Sequence, residues 1–317
     1  MIAIIWLSDF NKVYESIKSV DMIIIIQGCL LQIITIVLVN IQWYTIGLQI
    51  GEKVSFKDMF HINMAGTFTE SVTPSVKAGG ELTKIIMLKS IANISGSKAT
   101  AIVGVQKVLS IFPFLALNIV ALLLFIIKNP NLNSNITNVI IIAFIALTTL
   151  SLFMVLLMIY PAKIKCITKF MKKESKFKEK IENGIDNFNK SFKQMIKNKK
   201  MLVFQTILSI IIWQFFGLKS YLIAKGLHMN IDLIQITVIT YLTYMVAMIP
   251  LLPGGAGSFE GTMVLLLKAI GIASYTGMAF SIAVRFVTFW FVFIISAIYL
   301  LIYQVIRFLN KKKAVSF

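Results

Sequence analysis

The sequence predicts an all-α polytopic membrane protein built as an inverted repeat of transmembrane helices, each half holding a re-entrant helical hairpin interrupted by Gly and Pro. Three observations predict it. The chain is 58% hydrophobic with a mean hydropathy of +0.85, and it contains several apolar runs exceeding the roughly 20 residues that cross the hydrocarbon. Two stretches share one pattern: Pro74-Ser-Val-Lys-Ala-Gly-Gly-Glu81 and Pro253-Gly-Gly-Ala-Gly-Ser-Phe-Glu260 both read Pro, six residues with a Gly-Gly pair, then Glu. Their offset of 179 residues lays 22–46 on 201–225 and 99–127 on 278–306, which marks an internal duplication. Finally, the net charge of +18 is concentrated between apolar runs rather than spread along the chain.

Taken in order, Met1–Leu7 is too short to span and lacks a signal-peptide layout, so it reads as an interfacial tail or the remnant of a helix. Residues 1–160 form the first transmembrane repeat, with spans at 22–46, 99–127 and 137–160 and hairpin arms near 59–75 and 80–92. Residues 161–200 are a basic amphipathic linker. Ile164, Ile167, Phe170, Phe177, Ile181, Ile185, Phe188, Phe192 and Ile196 recur there at helical spacing among lysines, as in a helix lying on an anionic leaflet. Residues 201–317 form the second repeat, with spans at 201–224 and 278–306, hairpin arms at 238–252 and 256–271, and a basic tail.

Thirteen lysines stand against Glu174, Glu179, Glu182 and Asp186 between 161 and 200, so the positive-inside rule places that segment in the cytoplasm. The tail with Arg307, Lys311, Lys312 and Lys313 is expected there too, while the segments 128–137 and 225–232 read as external. These assignments make 278–306 run opposite to 99–127. The repeats are then inverted, and each Pro-x6-Glu region enters and leaves on one side. Simple spans at 233–252 and 256–271 satisfy the charges equally well; Gly/Pro backbone at depth, tolerated only where protein or a wet cavity surrounds it, favours hairpins.

Each repeat carries an acid and, on the following helix, a base: Glu81 with Lys107, and Glu260 with Arg285. An isolated charge at mid-bilayer costs about 2.5–3.5 kcal/mol on insertion scales, so such groups pair inside the bundle. Pairing within each repeat and pairing across the pseudo-twofold axis are both compatible with the sequence, as are structural and functional roles. Gly79, Gly80, Gly254, Gly255 and Gly257 allow close approach to the main chain. A half-helix starting just after them would offer N–H groups and its positive dipole end to an anion; tight turns alone would use the same residues. Broken helices meeting near the midplane are where a secondary transporter binds substrate.

Glu70 and Gln106 are secondary candidates for a polar cavity, and Lys219, Lys225 and Lys268 are expected to snorkel to the interface. No metal-ligand spacing involves His61 or His228, no disulfide is expected of Cys29 and Cys166, and no P-loop, HExxH, nucleophile elbow or Rossmann opening is present. No catalytic residue, metal or cofactor is therefore assigned.

The Gly-Gly-Glu stretch, the Pro-Gly-Gly-Ala-Gly-Ser-Phe-Glu-Gly stretch from Pro253, Gln106-Lys107 in an apolar helix and Arg285-Phe-Val-Thr-Phe-Trp together resemble the flippase-like family related to the transmembrane region of lysylphosphatidylglycerol synthases. The resemblance runs from about residue 10 to 310, with Lys107 where Arg would be expected. It implies an inner-membrane protein that moves a lipid between leaflets. In the bifunctional synthases a separate soluble domain transfers lysine to phosphatidylglycerol; no such domain is expected in these residues, so transferase chemistry is not. The resemblance thus implies a membrane phospholipid, anionic or aminoacylated, as partner, with Pro253 and the glycines around its phosphate, Lys107 and Arg285 neutralising it, and Glu81 and Glu260 holding those bases or meeting a cationic head group. The alternatives are a membrane component of phospholipid head-group modification and a small-solute secondary transporter. The charge distribution argues against a nucleic-acid partner; a homo-oligomer is compatible with the sequence.

Overall fold

A computed structural model describes residues 10–73, 78–130, 134–159, 176–248 and 253–315. The helices are α1 (Phe10–Lys18), α2 (Met22–Gln49), α3 (Phe56–Val72), α4 (Ala78–Ile91), α5 (Gly96–Lys128), α6 (Ser134–Ile159), α7 (Lys176–Lys197), α8 (Lys199–Gly226), α9 (Leu233–Ala247), α10 (Ser258–Ala269), α11 (Ser274–Arg285) and α12 (Phe291–Val315). A 3-10 turn at Pro253–Gly255 precedes α10, and a π-helical turn at Phe286–Trp290 joins α11 to α12. There is no strand among the described residues. The chain is an all-α polytopic membrane protein. Pro74–Lys77, Met1–Leu7 and 161–175, with Cys166, lie outside the described residues.

Among the described residues, four helical stretches are long and apolar enough to cross a bilayer: Met22–Gln49, Gly96–Lys128, Lys199–Gly226 and Ser274–Asn310. Their polarity is inverted relative to a soluble bundle. On α2, Ile23, Ile26, Leu30, Ile33, Ile34 and Val37 are exposed, while Gln32, Thr35, Asn40 and Gln42 are buried. Lipid can solvate the aliphatic face, whereas polar groups in hydrocarbon must find protein partners. The elements flanking the two motifs are shorter. At 1.5 Å per residue, the 15 residues of α9 reach about 22 Å and the 12 of α10 about 18 Å, below the ~30 Å hydrocarbon thickness. α3 folds back on α4, and α9 on α10.

Elements 179 residues apart take matching places in the contact pattern. α4 lies on α5 and α10 on α11; α3 packs on α12 and α9 on α5. The amphipathic helices preceding α2 and α8 follow the same exchange, α1 seating on α11 in the other half and α7 on α5. On α7, Phe188, Phe192 and Met195 face inward, and Phe188 occupies the notch above Gly104, where a Cβ would come within 2.8 Å of its ring. Ile196, expected on that face, is exposed and Met195 takes its place.

Candidate functional site

Between the two hairpins and helices α2, α5 and α8 lies a cavity of about 330 Å³. Both halves line it. The first contributes Glu70, Glu81, Lys84, Gln106 and Lys107; the second contributes Trp213, Phe216, Tyr244, Gly254 and Arg285.

Each ion pair forms within its own half. Lys107 Nζ donates to Glu81 Oε1, and both side chains remain partly open, at 22% and 31% exposure. Arg285 Nε donates to Glu260 Oε1 at 3.1 Å, with exposures of only 9% and 5%. The second pair is further enclosed. Arg285 Nη1 donates to the Gly254 carbonyl at 2.7 Å, and its guanidinium carbon lies 4.6 Å from the ring centroid of Phe289 and 5.1 Å from that of Phe259, where the ring quadrupoles favour a cation. Nη2 has no acceptor among the described residues.

Glycine makes this corner. Gly254, Gly255 and Gly257 have φ of 59°, 70° and 84°, a region that costs side-chain-bearing residues about 1–2 kcal/mol. The turn delivers the N-terminus of α10 to its own acid: the Gly257 N–H donates to Glu260 Oε2 at 2.6 Å. The anion position at that helix start thus holds a carboxylate of the protein, favourable for the dipole reason that would attract phosphate. Gly79 and Gly80 serve close approach instead. A Cβ on Gly80 would stand 2.5 Å from the Gly66 carbonyl oxygen and 2.8 Å from the Glu70 Cβ, so the pair lets α4 lie on α3. Pro253 opens the 3-10 turn.

A chain of neutral hydrogen bonds fixes the wall beside Lys107. Pro113 sits inside α5 and has no N–H, so the Leu109 carbonyl loses its intrahelical donor. Ser209 Oγ donates to that carbonyl at 2.9 Å and accepts from Gln42 Nε2 at 2.7 Å. Gln42 Oε1 in turn accepts from Gln106 Nε2 at 3.1 Å. Tyr244 donates to Thr288 Oγ1 at 2.9 Å within the π turn, and Lys84 Nζ lies 4.3 Å from the Trp43 ring centroid.

Sequence reasoning missed Lys84, Gln42, Ser209 and Trp213 and misplaced Lys219. Rather than snorkelling, Lys219 is wholly buried and donates to Gln32 Oε1 and to Thr35 Oγ1. One signal was available: Gln32, Thr35, Gln42 and Thr45 recur at three- and seven-residue spacing, a single stripe along the otherwise aliphatic α2. Among the described residues, no group of His, Cys, Asp and Glu could hold a metal ion.

Known proteins are similar to this chain in sequence along most of its length. A profile of the lysylphosphatidylglycerol synthase TM region matches residues 1–296. A UPF0104 membrane protein of Pyrococcus horikoshii is 25% identical over 301 residues, covering 92% of this chain and 90% of its own. One of Methanocaldococcus jannaschii is 25% identical over 322 residues, covering 99% and 94%, and one of Methanothermobacter thermautotrophicus is 22% identical over 295, covering 89% and 86%. No solved structure matches the chain. The chain belongs to the lysylphosphatidylglycerol synthase transmembrane-region family.

Proposed function

We propose that this protein moves a phospholipid with an anionic or aminoacylated head group between leaflets, by alternating access of the shared cavity. The observation that carries the reading is the cavity itself, lined by both halves and bearing partly open charges of both signs. Its volume suits a head group, with the acyl chains left against the aliphatic surfaces of the surrounding helices. Lys107 and the free Nη2 edge of Arg285 meet the phosphate; Glu70 and Glu81 take up a cationic head-group amine. In this reading the two halves are inverted repeats, α3–α4 and α9–α10 are re-entrant hairpins, and the protein sits in the cell membrane with 161–200 and the C-terminal tail in the cytoplasm.

The two ion pairs divide the labour. Exchanging the Glu81 partner for a phosphate costs Lys107 little, because both groups already meet the cavity. Arg285 and Glu260 are desolvated, and separating them leaves a buried charge uncompensated. Lys107 is therefore the base that trades its carboxylate for cargo, while Arg285 stays anchored and lends one edge.

The experiment is a leaflet-resolved exchange assay in liposomes carrying labelled phosphatidylglycerol or its lysyl ester, comparing the wild type with Lys107→Gln. Protein-dependent exchange that falls at least about tenfold in the variant, in vesicles shown to contain folded protein, supports the reading. Absence of exchange with either lipid in the wild type sinks it.

A further inference from the structure

Lys219 has an environment that no other charged residue described in this chain shares. Its side chain is 0% exposed within α8, and its acceptors are neutral: the Gln32 amide oxygen and, at 3.2 Å, the Thr35 hydroxyl oxygen. Thr35 spends its own proton on the Leu31 carbonyl at 2.9 Å, so its lone pairs are left for Lys219. The Phe216 ring centroid stands 4.1 Å from Nζ. Among the described residues no carboxylate bonds to this ammonium, whereas Lys107 and Arg285 each have one.

Among the described residues, the surrounding titratable groups do not supply a counter-charge. Of the elements packed on α8, α2 carries Cys29 and Tyr44, α9 carries Tyr241 and Tyr244, and α11 carries Tyr275 and Arg285. Helix α5 adds Lys98, Lys107 and Lys128. The carboxylates Glu182 and Asp186 of α7, and Glu70 and Glu81 across the cavity, make no bond to Lys219 among the described residues.

A charge in the membrane interior without a counter-ion is relieved either by pairing or by loss of the proton. Among the described residues pairing is not provided. The alternative has a route, because Gln32, Thr35 and Phe216 all line the central cavity, placing the amine one side-chain layer behind its wall. We propose that Lys219 is a proton-binding site of the cavity, exchanging its proton with cavity water past Gln32 and Thr35. In the exchange one N–H bond breaks, the electron pair stays on Nζ, and the proton passes to water; an anion entering the cavity favours the reverse step. Lys219 then couples cargo charge to proton uptake. The inference goes beyond lipid movement, since a proton site of this kind serves any anionic cargo.

The deciding experiment is a potentiometric comparison of purified, folded wild type with Lys219→Gln and Lys219→Arg, without cargo. Arginine keeps the cation and the donors but holds its proton throughout. The wild type is expected to release about one proton more than either variant between about pH 6 and about pH 9, a range in which ordinary lysines stay charged. Coincident curves for wild type and Lys219→Arg would overturn the proposal, and that comparison stands even where Lys219→Gln fails to fold. Adding phosphatidylglycerol micelles at about pH 8 is expected to drive proton uptake in the wild type alone. The extra proton release without this response keeps the site and rules out that lipid as the anion.

Discussion

Ser209 donates its hydroxyl to the carbonyl oxygen of Leu109 across the contact between α8 and α5. The carbonyl is available because Pro113, four residues on, has no N–H to offer it. One proline therefore creates an acceptor in a lipid-bounded helix, and a serine from the other half of the chain satisfies it. Through Gln42 the same serine fixes Gln106, the neighbour of Lys107.

Ser209→Ala is expected to destabilise the protein by about 1–3 kcal/mol, the cost of leaving buried polar partners unsatisfied. Pro113→Ala restores an intrahelical donor to Leu109, so the double variant should lose less than the two single losses added together. Thermal unfolding in detergent, analysed as a double-mutant cycle, checks the coupling; strict additivity would mean that the proline and serine act independently.

The two ion pairs should respond differently to removal of one partner. Arg285→Ala strands Glu260 in a nearly dry corner and should cost about 3–5 kcal/mol, read as reduced thermal stability and yield. Lys107→Gln leaves Glu81 in contact with the cavity and should cost less than about 1 kcal/mol, with its loss appearing in lipid exchange instead. A Lys107→Gln protein as unstable as Arg285→Ala would contradict this division.

Gly255→Ala combines a φ of 70° with an approach of 2.8 Å between the new Cβ and the Ala247 carbonyl oxygen. Backbone rather than a flexible side chain opposes it, so a loss above the ~1–2 kcal/mol of left-handed strain is expected. Gly96→Ala, with open space around its Cβ position, is the control and should leave the unfolding temperature unchanged or slightly raised by alanine's helix propensity.

Asp232 lies outside the spans, caps α9 through the Gln235 N–H at 2.8 Å and accepts from Lys128 Nζ at 2.7 Å. The Lys128 hydrogen bond, followed by those of the backbone, holds its carboxyl below the usual aspartate range. Its contribution is therefore complete above the unfolded value of about 3.9 and is lost as pH falls through the lower folded value. Because the pair is exposed, the effect is screened to about 1 kcal/mol at most. Unfolding temperatures followed downward from about pH 5 should converge for wild type and Asp232→Asn; a gap that persisted in acid would show that the carboxylate charge is not its source.

Much of this architecture was legible in one dimension. Apolar runs marked the four long spans because lipid contact requires aliphatic surface over a fixed length. The repeated Pro-x6-Glu pattern singled out Glu81 and Glu260, while their pairing with Lys107 and Arg285 within each half, rather than across the two, was left for the fold to decide. The stripe Gln32, Thr35, Gln42, Thr45 was also readable, since helical period alone puts those residues on one face.

Tertiary structure decided what each residue meets, because pairing depends on distances between segments far apart in sequence. It seated Lys219 against Gln32, 187 positions away, where a lysine near a helix end would ordinarily be read as reaching for the interface. It left Lys107 partly open to the cavity while enclosing Arg285. Sequence determined which residues could be charged within the membrane; the fold determined which of those charges are already answered by protein and which remain available to a ligand.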